Sequence, residues 1–212
     1  RTSDTIIMVG GTGLYIRAFC EGLDDIPATD PSVREAIIRN YEQNGLTWLQ
    51  EQVKEKDPAF FAEGEIQNPR RLMRALEVIQ STGMSVLHFR TGEKKQRPFR
   101  ILKTGLDLPK EELQRNINTR TDKMLKEGLV AEAESLLPFR HLNALQTVGY
   151  SEMFAYFDGQ ISLGQATEEI KVHTRQYAKR QLTWFRKDPE ISWFHPANPD
   201  KIKEHLEGAL VS

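Results

Sequence analysis

One stretch near the C-terminus, residues 173–187, limits the folds open to this chain more than any other. It carries five Lys and Arg residues and no acidic residue. At the period of an α-helix its apolar residues gather on one side, which predicts a face packed in a core: Tyr177, Ala178, Leu182, Trp184 and Phe185. The cations gather elsewhere and form an outward row: Arg175, Lys179, Arg180, Arg186 and Lys187.

A fixed row of cations favours a polyphosphate ligand. Because the helix is already ordered, binding costs it less conformational entropy than it would cost a flexible basic tail. A nucleic acid backbone is the commonest polyphosphate, so the stretch predicts nucleic acid binding. The alternative interpretation is the solvated face of an ordinary amphipathic helix.

The overall charge does not favour such binding, because 29 Lys and Arg residues are balanced by 30 Asp and Glu residues. Affinity for RNA must then come from clustered cations, and two more clusters precede the helix. These are Arg70, Arg71 and Arg74, and then Lys94, Lys95, Arg97, Arg100 and Lys103. The lone cysteine, Cys20, excludes an internal disulfide and a cysteine zinc site. Since no apolar run reaches membrane length either, we expect a cytoplasmic protein without a membrane partner.

The beginning of the chain has the pattern strand, glycine turn, helix. Residues 5–9 are a continuous apolar, β-branched run, which predicts a buried strand of a parallel sheet. Residues 10–13 are Gly-Gly-Thr-Gly, and residues 14–19 begin a helix. Backbone N–H groups in such a turn bind anions, with the hydroxyl of Thr12 among them. The segment is not a Walker A loop, since no Gly-Lys-[Ser/Thr] follows, and the alternative is a simple tight turn.

The middle of the chain is predicted to be helical. Residues 24–67 suggest a helical insertion with three helices, at 32–44, 47–56 and 59–62. Asn68 and Pro69 are then expected to start a helix over residues 70–79 that stops at Gly83. Three arginines crowd its first turn, where the helix dipole disfavours cations, so their placement favours contact with an anion.

The second half supplies two more strands and two candidate sites. Residues 99–108 and 191–194 are predicted strands, which makes the fold class α/β with a parallel sheet. Arg120 stands off the apolar line of a predicted helix, and its plainest interpretation is a surface residue paired with Asp122 or Glu112. Residues 146–152 form a loop that runs into a helix and offers backbone donors beside an aromatic ring.

Four motifs occur in one order along the chain: residues 9–15 (Val-Gly-Gly-Thr-Gly-Leu-Tyr), 68–78, 147–150 (Thr-Val-Gly-Tyr) and 174–186. Together they resemble the tRNA dimethylallyltransferases, also called tRNA isopentenyltransferases, over nearly the whole chain. The resemblance implies an α/β fold with a P-loop-kinase-like parallel sheet core and a mostly helical insertion domain. The catalytic core would then comprise residues 1–23 and 68–212. The insertion would comprise residues 24–67, with a C-terminal limit that extends to about 98 at most.

The resemblance also implies the reaction and its partners. Family members transfer a dimethylallyl group from dimethylallyl diphosphate to N6 of the adenosine just 3′ of the anticodon, with Mg²⁺ assisting. We therefore expect the tRNA anticodon stem-loop and dimethylallyl diphosphate as partners of a monomeric protein. No residue of this chain is expected to ligate the metal.

Residue roles follow from the same resemblance. Thr12 resembles the catalytic threonine, which hydrogen-bonds the oxygen that bridges C1 and the diphosphate, and Arg120 resembles the arginine that contacts the diphosphate. The implied diphosphate-binding set is Gly10, Gly11, Thr12, Gly13 and Arg120. Either Tyr150 or Trp184 would stack on RNA, unless Trp184 belongs to the core. The positions that resemble tRNA contacts are Arg34, Arg70, Arg71, Arg74, Gln146, Thr147, Val148, Gly149, Tyr150, Ser151, Lys179, Arg180, Gln181, Thr183, Trp184 and Arg186.

The sequence departs from the family pattern on its N-terminal side. The family begins with a Gly-Lys-[Thr/Ser] P-loop, followed by an Asp general base near a Ser-x-Gln, and neither is present here. We expect a fragment whose upstream part carries them; without them the chain would bind RNA weakly and transfer nothing. Three alternatives stay open: a cytokinin-type adenylate isopentenyltransferase, which needs no extended RNA surface, a non-catalytic RNA-binding module, and a nucleotide kinase, which the missing Walker lysine disfavours.

Overall fold

The chain, described by a computed structural model over residues 5–211, forms two compact units. The first unit contains the residues up to Ile16 and those from Phe99 onward, and the second unit contains Arg17–Pro98. The division of the chain into a core and an insertion over residues 24–67 stays a prediction.

Most of the described chain is helical. The α-helices are α1 (Gly13–Glu21), α2 (Pro31–Lys56), α3 (Pro58–Glu63), α4 (Pro69–Thr82), α5 (Lys110–Lys126), α6 (Leu129–Ser135), α7 (Tyr150–Phe157), α8 (Leu163–Phe185) and α9 (Pro199–Val211). The strands are β1 (Lys103–Leu106) and β2 (Ile191–Phe194). Short 3₁₀ helices span Val86–Phe89, Leu137–Phe139 and Asn143–Leu145. Within residues 5–211, no helix combines the length and the apolar composition needed to cross a membrane.

Helices α2, α3 and α4 enclose the core of the second unit. The side chain of Asp30 caps α2 by accepting a hydrogen bond from Ser32 N at 2.8 Å. The helix bends at Gly45, whose φ of 72° is a conformation that glycine adopts without strain. The predicted helices at 32–44 and 47–56 are the two arms of this bent helix. Fully buried residues fill the core, among them Leu49, Val53, Phe60, Leu72, Ala75 and Leu76.

Helix α4 begins and ends where the sequence predicts. Asn68 Oδ1 accepts a hydrogen bond from Arg70 N at 3.1 Å, which satisfies one of the free donors of the first turn. Gly83 ends the helix in the left-handed conformation, with φ of 73°. The prediction of a helix over residues 70–79 is therefore confirmed.

The first unit contains the parallel sheet. Strands β1 and β2 pair in parallel, with Lys103 opposite Ile191. The predicted strand at 191–194 is confirmed, while β1 is shorter than the predicted 99–108. Lys103 Nζ lies 2.7 Å from both Asp188 Oδ2 and Glu190 Oε2. Burial disfavours the ammonium group, but the hydrogen bonds and charges of these carboxylates outweigh it and raise the pKa of Lys103.

Helices α6, α7 and α8 enclose a hydrophobic core in the first unit. Gly128, with φ of 107°, separates α5 from α6. The buried residues of this core are Leu129, Ala133, Met153, Ala166 and Ile170.

The prediction of a buried strand at residues 5–9 is wrong. No strand is formed there, and the side chains of Ile6, Ile7 and Val9 are 81–90% exposed. A β-branched run carries a preference for extended backbone, but a strand also needs a neighbouring strand to pair with. Here β1 and β2 pair with each other.

The prediction that the aromatic face of α8 is packed in a core is also wrong for its C-terminal half. The buried residues of α8 are Ala166 and Ile170, both in its N-terminal half. Tyr177 and Trp184 are each 43% exposed. The helical period correctly gives the apolar side of the helix, but it does not give how far along the helix the core extends.

Candidate functional site

The glycine turn at residues 10–13 begins helix α1. The carbonyl oxygen of Thr12 accepts hydrogen bonds from Tyr15 N at 3.0 Å and from Ile16 N at 3.1 Å, so Thr12 stands at the N-terminal end of the helix. Its side chain is exposed to solvent. The predicted anion-binding turn therefore does lead into a helix, although no strand precedes it.

The same turn packs against the C-terminal half of α8. Gln181 Nε2 donates a hydrogen bond to Gly11 O at 2.8 Å. A β-carbon at Gly11 would overlap the amide of Gln181, and one at Gly13 would overlap the indole of Trp184. Trp184 is thus placed under the turn, half-exposed, and is not part of a buried core.

The cations predicted to form the outward row in residues 173–187 have different surroundings. Arg186 Nη2 pairs with Asp107 Oδ2 at 2.8 Å, and Arg175 Nη1 donates to Asn118 Oδ1 of α5 at 3.0 Å. The guanidinium of Arg180 lies 5.9 Å from the ring centroid of Tyr177. Lys179 is exposed, and within residues 5–211 it forms no ion pair. Arg186 and Arg175 are therefore bonded to neighbouring side chains, whereas Lys179 is free to bind an anion.

Arg120 lies on α5, the helix that Asn118 connects to α8. Its side chain is exposed. The alternative pairings with Asp122 and Glu112 are not formed. Asp122 pairs instead with Lys171 at 2.9 Å, and Glu112 lies 3.6 Å from His195 Nε2. The guanidinium makes no ion pair with any residue in the described part of the chain, so it is available to a ligand.

The loop before α7 is held by a buried carboxylate that the sequence analysis missed. Glu152 is 5% exposed, and its Oε2 accepts a hydrogen bond from Gly149 N at 2.7 Å. Its Oε1 lies 2.5 Å from Nδ1 of His173 on α8. Gly149 itself has φ of 107°, which favours glycine. The available signal was the spacing, because an acidic residue three positions after a helix cap can accept from the cap's N–H.

Two further contacts fix the same loop. Gln146 Nε2 donates to the carbonyl oxygen of Arg140 at 2.6 Å. Arg140 in turn binds Asp158 through both its terminal nitrogens, at 2.8 and 2.6 Å. The hydrogen bond from Arg140 lowers the pKa of Asp158. The predicted contact residues of the loop, Thr147, Val148 and Ser151, are exposed.

Tyr150, predicted to stack on RNA, already makes contacts with both its hydroxyl and its ring. Its hydroxyl donates to Glu132 Oε1 at 2.7 Å, and its ring stacks on Phe154 with a centroid separation of 6.4 Å. The hydrogen bond to Glu132 and the partial burial of the ring raise the pKa of Tyr150. Its exposed edge is the part left for a ligand.

Three of the four predicted contact arginines of the second unit form ion pairs, two with one buried carboxylate and one with an exposed carboxylate. Glu77 is 3% exposed and accepts from Arg74 Nη1 at 3.0 Å, while Arg34 Nε lies 3.5 Å from its other oxygen. Arg71 pairs with the exposed Glu65 at 2.8 Å. Arg70 is exposed and has no ion-pair partner within residues 5–211.

The described residues contain no group of three or more His, Cys, Asp or Glu side chains arranged to hold a metal ion. The structure thus joins the glycine turn to α8 and α8 to α5 within the first unit. It does not join Arg120 to the turn through any hydrogen bond among the described residues.

Comparison with known proteins gives consistent matches. A model of the family described as "IPP transferase" matches residues 1–188. The chain is 45% identical over 211 residues to "tRNA dimethylallyltransferase 2" of Parabacteroides distasonis, covering 100% of this chain and 71% of that protein. It is 45% identical to "tRNA dimethylallyltransferase" of Cytophaga hutchinsonii, covering 98% of this chain and 68% of that protein.

Solved structures have the same fold. A tRNA isopentenylpyrophosphate transferase of Bacillus halodurans matches with a TM-score of 0.57 and 33% identity, over 93% of this chain and 64% of that one. A eukaryotic dimethylallyltransferase acting on tRNA matches with a TM-score of 0.66 over 89% of this chain and 51% of that one, and at 22% identity it bears on the fold alone. These neighbours confirm the predicted α/β class. The chain spans about two thirds of the length of most of these proteins and about half of the eukaryotic one.

Proposed function

We propose a function for this chain from its family, since it belongs to the IPP transferase family. The resemblance drawn from the four sequence motifs is thereby confirmed. We propose that the intact protein modifies tRNA by transferring a dimethylallyl group to N6 of the adenosine just 3′ of the anticodon. Dimethylallyl diphosphate is the proposed donor.

The chemistry explains why an anion-binding turn is needed. An exocyclic amine is a poor nucleophile, so the allylic carbon C1 must become strongly electrophilic. The C1–O bond breaks and its electron pair leaves with the diphosphate, while the N6–C1 bond forms and N6 gives up a proton to a base. Negative charge therefore collects on the diphosphate, and donors aimed at that charge lower the barrier.

Three kinds of donor in this chain suit that role. They are the N–H groups of residues 10–13, the hydroxyl of Thr12 and the guanidinium of Arg120, both of which are exposed. Removing one such donor typically costs about 3–4 kcal/mol of transition-state stabilisation. The acceptor base must also leave its stack, at a cost of roughly a few kcal/mol, which contacts from Lys179 and Arg180 to the RNA backbone would offset.

The observation that most supports this proposal is the contact between the glycine turn and α8. The hydrogen bond from Gln181 Nε2 to Gly11 O brings the turn with Thr12 beside a helix that carries cations facing solvent. A donor diphosphate at the turn and an RNA strand on that helix would then be neighbours within one unit of the chain.

Several parts of the proposal rest on the resemblance alone. These are the assistance of Mg²⁺ and the monomeric state, whereas the cytoplasmic location is proposed from the lone cysteine and the lack of an apolar run of membrane length. Since the described residues supply no cluster of metal ligands, we assign no residue of this chain to Mg²⁺. Magnesium is often bound through substrate phosphates.

The test is transfer of a labelled dimethylallyl group by the intact protein carrying Thr12→Ala. We expect turnover to fall by about 10²–10³-fold, because one donor to the leaving group is lost, with little change in tRNA affinity. Thr47→Ala is the matched control, since Thr47 is also exposed and lies on α2. Equal rates for Thr12→Ala and the unsubstituted protein would remove Thr12 from the mechanism.

The acceptor is tested separately by offering AMP and tRNA with the same donor. Transfer to tRNA and not to AMP is the expected result. Transfer to AMP alone would identify an adenylate isopentenyltransferase, and RNA binding without any transfer would identify a binding module.

A further inference from the structure

Glu77 is a buried carboxylate that contacts arginines of two neighbouring helices. It lies on α4 and is 3% exposed. Its Oε2 accepts a hydrogen bond at 3.0 Å from Nη1 of Arg74, one turn earlier on the same helix. Its Oε1 lies 3.5 Å from Nε of Arg34, which belongs to α2. Both oxygens of the carboxylate therefore face guanidinium groups.

The two arginines are held to different degrees. Nη1 of Arg74 also donates to Thr29 Oγ1 at 3.3 Å, so Arg74 connects α4 to the residues just before α2. The side chain of Arg34 is 62% exposed, and within residues 5–211 its only ion-pair partner is Glu77. A guanidinium carries N–H groups on all its nitrogens, so a contact at Nε leaves the terminal nitrogens able to bind a second anion.

Stability alone is a poor reason for this arrangement. A buried carboxylate loses its hydration, and well-packed apolar residues in place of a buried ion pair are often as stable or more stable. The N–H of Arg34 donates to Asp30 O at 3.3 Å, so Arg34 closes the first turn of α2, where the helix dipole disfavours a cation. One carboxylate neutralises only one of the two guanidinium groups. The cluster therefore keeps a positive charge that an anion would satisfy.

We propose that Glu77 is a positioning residue for Arg34, which it holds ready to bind a phosphate of the tRNA backbone. This rests on the proposed function, because the tRNA supplies the phosphate. A free arginine side chain has several rotatable bonds, and ordering it on binding lowers the affinity. Glu77 removes part of that loss, because it fixes Nε of Arg34 before the RNA arrives.

Removing the charge of Glu77 has two effects on RNA binding, and they have opposite signs. A carboxylate repels the RNA backbone, so the loss of its charge alone tightens binding. The loss of a positioning group weakens binding, because the RNA must then order Arg34 itself. In Glu77→Gln the amide oxygen can still accept from Arg74, whereas the amide N–H₂ cannot accept from Arg34. This variant therefore keeps the shape of the buried side chain and its contact with Arg74.

Glu35→Gln is the matched control. Glu35 follows Arg34 on α2, is exposed and pairs with Arg39 at 3.9 Å, so its replacement removes the same charge without touching Glu77. In the intact protein, we expect Glu77→Gln to raise the Kd for the tRNA anticodon stem-loop about 3- to 10-fold. Glu35→Gln should leave that Kd within about twofold or lower it. An unchanged or lowered Kd in Glu77→Gln would overturn the proposal.

A double variant separates positioning from damage to the second unit. Arg34→Gln should raise the Kd roughly 10- to 100-fold, because a hydrogen-bonded contact between charges is lost. Since Glu77 acts through Arg34, Glu77→Gln should add less than about twofold when Arg34 is already replaced. Equal factors in the presence and absence of Arg34 would assign the loss to the fold and overturn the proposal. A Kd that Arg34→Gln leaves unchanged would overturn it as well.

One measurement needs neither RNA nor activity. The NMR order parameter of the Nε–H group of Arg34 reports how firmly the side chain is held in the free protein. It should fall below about 0.6, the range of flexible groups, in Glu77→Gln and stay unchanged in Glu35→Gln. Weaker stem-loop binding by Glu77→Gln in a protein that transfers no dimethylallyl group would keep the role of Glu77 and refute the proposed function. An order parameter that does not fall would refute the positioning role.

Discussion

Glu152 determines the order of the loop at residues 146–151, which leads to a prediction of defined size. In Glu152→Ala, the N–H of Gly149 loses its acceptor at 2.7 Å while the residue stays buried. A buried donor without a partner costs about 1–3 kcal/mol, and a middle value of about 2 kcal/mol corresponds to a roughly 30-fold change in an equilibrium constant. The loop should open about 30-fold more often.

The assay is amide hydrogen exchange of a peptide covering the loop, measured by mass spectrometry. We expect exchange of Gly149 and its neighbours to quicken by about that factor, because local opening limits it. Glu134→Ala is the control, since Glu134 is exposed on α6. Its replacement should change the free energy of unfolding by no more than about 0.5 kcal/mol. Equal exchange in the two variants would refute the reasoning.

A milder variant refines the same prediction. A carboxylate only accepts hydrogen bonds, so Nδ1 of His173 is the donor toward Glu152. In Glu152→Gln the amide oxygen can accept from one of the two donors, and the amide N–H₂ faces the other. The rate of amide hydrogen exchange in the loop should therefore lie between the rate in Glu152→Ala and the rate in the unsubstituted protein. If the loop contacts tRNA, affinity for tRNA should fall in the same order.

Three further predictions concern charge, pH and packing. A variant in which Lys179, Arg180 and Arg186 are neutralised should reduce the slope of log K for tRNA against log[salt] by about 2–3. An unaltered slope would show that these cations are a solvated surface and do not bind tRNA. Arg140 lowers the pKa of Asp158, so at acidic pH the folded state binds fewer protons than the unfolded state. The contribution of this ion pair to the stability of the fold is therefore full above about pH 4 and is lost as the pH falls through the folded-state pKa of Asp158. Asp158→Asn should abolish that acid-side loss in urea unfolding curves recorded at successive pH values. Leu76→Ala should lower the free energy of unfolding by about 3–5 kcal/mol, because Leu76 is fully buried, whereas Leu23→Ala, at a residue 55% exposed, should hardly change it.

The helices of this chain could be predicted because their signals are local. The cap at Asn68 and the stop at Gly83 each depend on residues within one turn of the helix end. A helix also satisfies its backbone hydrogen bonds from its own chain. The sequence therefore contains most of the information needed to define it.

The strand at residues 5–9 could not be predicted in the same way, because a strand depends on a partner from elsewhere. The run had the composition of a buried strand, yet its side chains face solvent. By contrast, β1 and β2 are separated by more than eighty residues and still pair in register. Composition alone does not distinguish a run that pairs from one that does not.

The candidate site was predictable as a set of residues but not as a set of contacts. The glycine turn and the basic helix were each evident from sequence. That Gln181 donates to Gly11 across 170 positions was not, because no local pattern encodes that contact. The contact between Glu152 and His173 was missed for the same reason, since a hydrogen bond between side chains of two helices depends on packing.

The ion pairs of the predicted tRNA contacts rank them by how readily they can bind a phosphate. Lys179 and Arg180 have no carboxylate partner within residues 5–211, so they can bind a phosphate without first breaking an ion pair. Arg186 and Arg71 pair with carboxylates that are 36% and 50% exposed, and exchanging such a surface pair for a phosphate costs only about 0–1 kcal/mol.

Arg74 differs from these residues because its partner is buried. Turning Arg74 toward RNA would leave the carboxylate of Glu77 with only the longer contact to Arg34, and a buried charge that loses its partner is costly. Arg74→Gln should therefore destabilise the second unit more than it weakens tRNA binding, whereas Arg70→Gln should do the reverse. Urea unfolding and tRNA binding of the two variants, measured side by side, check this ranking, and equal losses of affinity with unchanged stability would contradict it.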